Sequence, residues 1–198
     1  MKRRIAPGCA VLALCLASAA PALASIVLAM DLQQLVGDAN EIVVGRVLSQ
    51  KARRTDRGQI VTEYTLLVTD SLKGSSRAAE RVFVYQPGGV MDGIGMRVAG
   101  SPAFVLNRDY LVFAKSTAKT DGPGLMLWPV GMSQGALLIH RDKSGKQMVL
   151  PGTGLHTVSP DSRTGLRASD GAVTQPVALS TLLNRVREYI ALQRVPSR

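Results

Sequence analysis

The apolar positions of this chain change period several times, and each change marks an element. Between Asp31 and Ala39, Leu32, Leu35 and Val36 share one helical face, and Asp31 stands where an N-cap carboxylate accepts a backbone amide. From Glu41 to Arg53 the pattern becomes a β-branched run (Ile42, Val43, Val44, Val47), with Gly45 inside it as the mark of a bulge or bend. Thr55-Asp56-Arg57-Gly58 reads as a turn. Beyond it Ile60, Thr62, Tyr64, Leu66 and Val68 alternate with Glu63, Thr65 and Thr69. The even positions are the expected core face of a second long strand, and the two strands form a hairpin.

Shorter strands follow at Arg81 to Gln86, Tyr110 to Lys115 and Leu125 to Val130, the last centred on Trp128. Gly135 to Arg141 and Gln147 to Leu150 make a final hairpin across Asp142-Lys143-Ser144-Gly145. Pro87 to Pro102 holds five glycines with little alternation and reads as a long loop. Gly152 to Pro176, rich in Gly, Ser, Thr, Asp and Pro, reads as an exposed linker. From Ala178, Leu179, Leu182, Leu183, Val186 and Ile190 form the apolar stripe of an amphipathic helix. Seven short strands without long helices between them predict a mainly β protein, an antiparallel OB-like barrel or a sandwich. A short helix precedes it and an amphipathic helix follows.

The start of the chain changes the picture of where this fold works. Lys2, Arg3 and Arg4 precede an apolar stretch from Ile5 to Ala20, which ends on Ala22-Leu23-Ala24. That is the layout of a cleavable secretion signal. Pro7, Gly8 and Pro21 interrupt the stretch, which is short for a membrane span of about 20 apolar residues. Cleavage after Ala29 is a second choice. The residues after Arg3-Arg4 do not suit a twin-arginine signal, and Leu14 before Cys15 does not suit lipidation. The expected organisation is a signal over residues 1–24, a barrel-like domain over 25–158, a linker over 159–177 and a helix over 178–198. The mature chain would be exported, periplasmic or secreted, with no membrane span left after cleavage.

Both cysteines, Cys9 and Cys15, leave with such a signal. The mature chain then has no disulfide, thiolate nucleophile or cysteine metal ligand. It must be held by its core, and 174 residues are enough for one. The net charge of +10 falls to +7 when the three bases of the signal are removed. A basic surface of this kind favours polyanions.

Part of the pattern resembles a known family. The helix Leu32 to Ala39 leads into Glu41-Ile42-Val43-Val44-Gly45-Arg46-Val47, a second strand ends in Val68-Thr69-Asp70-Ser71-Leu72-Lys73-Gly74, and a later one reads Asn107 to Ala114. This resembles the secreted bacterial domains related to tissue inhibitors of metalloproteinases and netrin modules, over roughly residues 31 to 115. The resemblance implies an OB-like barrel. It also brings protease inhibition into consideration, although those inhibitors begin with Cys-x-Cys and this mature chain begins Ser25-Ile26-Val27.

Candidate chemistry is sparse. His140 and His156 are the only histidines and lack metal-ligand spacing, so no cofactor or metal is expected. Gly131-Met132-Ser133-Gln134-Gly135 has the glycine spacing of a nucleophile elbow, but it lies between two strands and reads as a turn. Two segments suit contact with a partner. Met91, Ile94 and Met96 beside Arg97 put adaptable apolar side chains on glycine-rich backbone. Lys51, Arg53, Arg54 and Arg57 cluster at the tip of the first hairpin, without the aromatic platforms of single-strand nucleic-acid binding. The expected function is a non-enzymatic binding module for a protein or an anionic surface polymer, not a specific nucleic acid. The alternatives are a protease inhibitor or protease-associated protein, and a serine hydrolase built on Ser133.

Overall fold

The computed structural model describes residues 26–118, 124–150, 156–161, 165–168, 173 and 175–193. The expected secretion signal lies outside them. In chain order the elements are β1 (Ile26–Leu28), α1 (Leu32–Asp38), β2 (Glu41–Arg54), β3 (Ile60–Lys73), β4 (Arg81–Met91), β5 (Ile94–Arg97), β6 (Asp109–Ala118) and β7 (Leu125–Pro129). A 3-10 turn (Met132–Gly135) leads into β8 (Ala136–Arg141) and β9 (Gln147–Val149). Then come β10 (His156–Asp161), β11 (Gly165–Ala168), β12 (Val177–Ala178) and α2 (Leu179–Gln193).

Five of these strands close on themselves. β2 pairs with β3, β3 with β4, β4 with β7, β7 with β6, and β6 again with β2. The result is a small closed OB-like barrel, which decides between the barrel and the sandwich that the sequence allows. One closure, Phe83–Val84 of β4 against Met126–Leu127 of β7, is parallel, so the barrel is not wholly antiparallel. The first half of β6 also pairs with β8, and the sheet continues through β9 and β12 off the barrel wall.

The two halves of β2 show how sequence sets this shape. Ile42, Val43 and Val44 are consecutive and all buried because the strand has a core on each face. Val43 and Val47 point into the barrel with Tyr64, Leu66, Val82, Val84 and Leu127. Ile42 and Val44 point outward beneath the helices, with Leu111 and Phe113 of β6. Toward its tip β2 becomes polar and exposed. Register shifts at Val44/Gly45 and Val47/Ser49 provide the bulges anticipated at Gly45. The even residues Tyr64, Leu66 and Val68 of β3 do face the core.

α1 begins with a reciprocal cap. Asp31 Oδ1 accepts from the Gln34 amide at 2.7 Å, and Gln34 Oε1 accepts from the Asp31 amide at 2.8 Å. α2 lays Leu179, Leu182, Val186 and Ile190 on the outer core, together with α1 and β9. Lys73 ties the two helices by donating to Val36 O at 2.7 Å and to Gln193 Oε1 at 3.2 Å. Burial holds its ammonium below the usual pKa. Among the described residues no helix is long and apolar enough to cross a membrane.

Two expectations need correction. The loop expected over Pro87 to Pro102 is largely a hairpin: β4 runs on to Met91 and pairs with β5. Its two-residue turn is Asp92-Gly93 with φ of 53° and 74°, the left-handed pair of a tight hairpin. The linker expected over 159–177 carries strands, since β10 pairs with β1 and β11, and β12 pairs with β9. Main-chain hydrogen bonds make these pairings, and a Gly/Ser-rich composition does not register them. The apolar stripe of α2 packs on the core, as its amphipathic pattern suggests.

Candidate functional site

The candidate surface lies where the tip of the β2–β3 hairpin meets the outer face of β3, β4 and β7. The strand pairing places Lys51 opposite Glu63, Arg53 opposite Val61, Glu63 opposite Tyr85, and Val61 opposite Pro87. Because β3 turns its even residues into the barrel, these odd residues face outward. On β7 Leu127 fills the barrel, so Met126 and Trp128 share the outward face.

A cleft of about 510 Å³ opens there, lined by Lys51, Arg53, Arg54, Val61, Tyr85, Met91 and Met126 along with Thr55 and Asp56 of the tip. A second hollow of about 320 Å³ is lined by Arg57, Gln59, Pro87 and Trp128, and it shares Thr55, Asp56 and Val61 with the first. The two therefore adjoin along the tip. Four basic side chains and one carboxylate line the pair.

The floor is built from a chain of fixed contacts. Arg53 Nη2 lies 3.0 Å from Glu63 Oε1. Tyr85 donates its hydroxyl to Glu63 Oε2, and the Tyr85 and Trp128 rings stand 5.3 Å apart. Glu63 and Tyr85 are buried, while the Arg53 side chain is partly exposed, so the carboxylate end of this pair is the fixed one. Trp128 is half-buried. At the rim Arg54 Nη2 sits 3.6 Å from Asp92 Oδ2, clipping the tip of β2–β3 to the tip of β4–β5. Thr62 Oγ1 donates to Gly88 O at 2.8 Å and holds the same two hairpins together deeper down. Lys51 and Arg57 have no ion-pair partner among the described residues.

The structure thus joins the two contact segments expected from the sequence: Met91, Arg53 and Arg54 line one cleft, and Arg57 lines its extension. Ile94, Met96 and Arg97 do not reach it. They lie along β5, at the edge of the sheet, with Ile94 and Arg97 exposed and Met96 half-buried. Sequence reasoning missed Trp128, Met126, Tyr85 and Asp56. Period two places the first two on one face of β7, but only the parallel β4–β7 pairing brings them to Tyr85.

Ser133 is elsewhere. It sits on the 3-10 turn after a left-handed pair, Gly131 and Met132, with its amide donating to Gly100 O at 3.0 Å. Its side chain is 3% exposed, and Ser133 Oγ has no hydrogen-bond partner among the described residues. His140 is exposed on β8. This arrangement gives no support to nucleophilic chemistry at Ser133. Among the described residues no three His, Asp or Glu converge as metal ligands.

No protein-family model matches the chain, and no curated protein matches it.

Proposed function

We propose that this protein is an exported, non-enzymatic binding module that holds an anionic ligand in the cleft beneath the β2–β3 tip. The observation that carries this reading is the convergence of Lys51, Arg53, Arg54 and Arg57 on one continuous hollow: Glu63 pairs with Arg53 and Asp92 with Arg54, while Lys51 and Arg57 have no ion-pair partner among the described residues and Asp56 is the one carboxylate of the lining. Two opposite charges about 4 Å apart attract by roughly 1 kcal/mol in water and by about 4 kcal/mol near a protein wall. A few such contacts give useful affinity without covalent chemistry. The fixed floor adds to it by lowering the ordering cost on binding. Export is supported by the Lys2-Arg3-Arg4, apolar, Ala22-Leu23-Ala24 sequence of the N-terminus. The likeness to the metalloproteinase-inhibitor and netrin-type domains enters this reading only as a barrel plan.

Two measurements test it. Replacing Lys51, Arg54 and Arg57 together by Ser is expected to weaken binding to inorganic polyphosphate about a hundredfold at low salt, at roughly 1 kcal/mol per contact. The same triple replacement of Arg141, Lys143 and Lys146 on the β8–β9 hairpin removes equal charge and should change affinity only a few-fold. Equal losses in the two variants would mean that the chain attracts anions by net charge alone. For export, mass spectrometry of the protein recovered outside the cytosol should give a chain beginning at Ser25. A full-length product retained in the cytosol would contradict that part.

A further inference from the structure

We propose that the ligand of this cleft is an acidic glycan, bound with a sugar ring on Trp128 and its carboxylates toward Lys51 and Arg57. This rests on the reading of the cleft as an anion site and specifies what the anion is attached to.

Four features lead there. Trp128, Pro87 and Val61 wall the smaller hollow with apolar surface, while Thr55, Asp56, Arg57 and Gln59 ring it with hydrogen-bonding groups. A pyranose has the matching character: its C–H face is apolar, and its hydroxyls project from the rim. Such an amphipathic body needs one flat wall and several convergent polar groups. Asp56 also discriminates. Its carboxylate accepts hydrogen bonds from the hydroxyls of a glycan, which phosphodiesters and polyphosphate do not offer. Trp128 is held in place through Tyr85, Glu63 and Arg53, so the platform exists before the ligand arrives.

The remaining features disfavour other polymers. β3 and β7 have strand neighbours on both sides beneath the hollows, so an extended peptide cannot pair there, and the one free edge nearby is the outer half of β2, which pairs with β3 alone beyond Arg46. Single-stranded nucleic acid stacks successive bases on several aromatic side chains. Here Trp128 offers one half-buried ring, and Tyr85 is buried behind it. The two adjoining hollows, about 510 and 320 Å³, lie in sequence along the tip and suit consecutive residues of a chain.

Trp128 is the single tryptophan of the protein, so intrinsic fluorescence reports directly on this wall. The test titrates the mature protein with a galacturonate hexamer, a galactose hexamer, inorganic polyphosphate and oligothymidylate, followed by fluorescence and by calorimetry. The galacturonate hexamer is expected to bind at least tenfold tighter than the other three, to shift the Trp128 emission and to weaken as salt rises. Trp128→Ala should reduce that affinity at least tenfold and leave polyphosphate affinity within about twofold. Gln59→Ala, on an exposed side chain, should give a several-fold loss for galacturonate alone, and it serves if the tryptophan variant does not fold. Equal binding of galacturonate and polyphosphate, indifferent to both substitutions, would overturn the glycan assignment while leaving an anion cleft. Tightest binding of oligothymidylate would overturn it in favour of nucleic acid. Absence of binding by all four would remove the underlying reading as well.

Discussion

Replacing Glu41 by Ala is expected to lower the unfolding free energy by about 3 kcal/mol, although no enzyme-like or cleft residue is touched. Glu41 opens β2 and is 2% exposed. A buried carboxylate is costly unless its oxygens are occupied. Here Oε1 accepts from the Ser75 amide at 2.6 Å and the Ser75 hydroxyl at 2.9 Å. Oε2 accepts from the Ser76 hydroxyl at 2.7 Å and the Ser76 amide at 3.3 Å. One side chain thus organises the connection after β3, and Ala at position 41 leaves the buried Ser76 donors without their acceptor. Gly74 forms the other wall. Its φ is +104°, and a Cβ there would lie 2.2 to 2.4 Å from the carboxylate atoms. Gly74→Ala should therefore destabilise by displacing Glu41, and the double variant should cost less than the two singles added. Urea unfolding decides the matter. A loss below about 1 kcal/mol for Glu41→Ala, or strict additivity with Gly74→Ala, would contradict this account.

The second large effect concerns the C-terminal helix. A chain ending at Pro176 is expected not to fold. Leu179, Leu182, Val186 and Ile190 are each buried against the outer core. At about 1.5 to 3 kcal/mol per side chain, their removal forfeits on the order of 6 to 12 kcal/mol. That is comparable with the whole stability of a typical domain, about 5 to 15 kcal/mol. The truncation would also uncover Ile42, Val44, Leu111 and Phe113, which now face the helices, and would remove Gln193 from Lys73. Far-UV circular dichroism and size exclusion of the truncated chain should show an expanded or aggregated species. A cooperative, monomeric barrel would show instead that the helix is an accessory.

The contrast between these elements explains what was legible in the sequence. Where side chains carry the information, the pattern could be read directly. The Asp31 cap, the even face of β3 and the stripe of α2 all sit where period and capping put them. The consecutive apolar residues Ile42-Val43-Val44 even signal a strand buried on both sides. Where the backbone carries it, the pattern is silent. β5 and the end of β4 are made of Gly88, Gly89, Gly95 and a few apolar residues, and their one local signal is Asp92-Gly93, a two-residue hairpin dipeptide. The pairings of β10 and β11 leave still less trace.

The cleft divides in the same way. Arg53, Arg54, Arg57 and Met91 stood out by residue type, and the fold brings them together. Trp128 and Tyr85 could be assigned to strands but not to each other, because β4 and β7 meet in parallel between residues 43 positions apart in the chain. A carboxylate such as Glu63 gave no warning either. Its polar character fits an exposed strand face, and only the aromatic and cationic cover of this structure makes it a buried anchor.

The most direct test of an anion-binding cleft is to map the contact on the folded protein. Backbone amide shifts of the labelled protein, recorded during titration with a galacturonate hexamer, should change first and most at Lys51 to Gln59, Tyr85 and Met126 to Trp128. The β8–β9 hairpin should stay still. Shifts spread evenly over the basic surface, or centred on the β8–β9 hairpin, would contradict the claim.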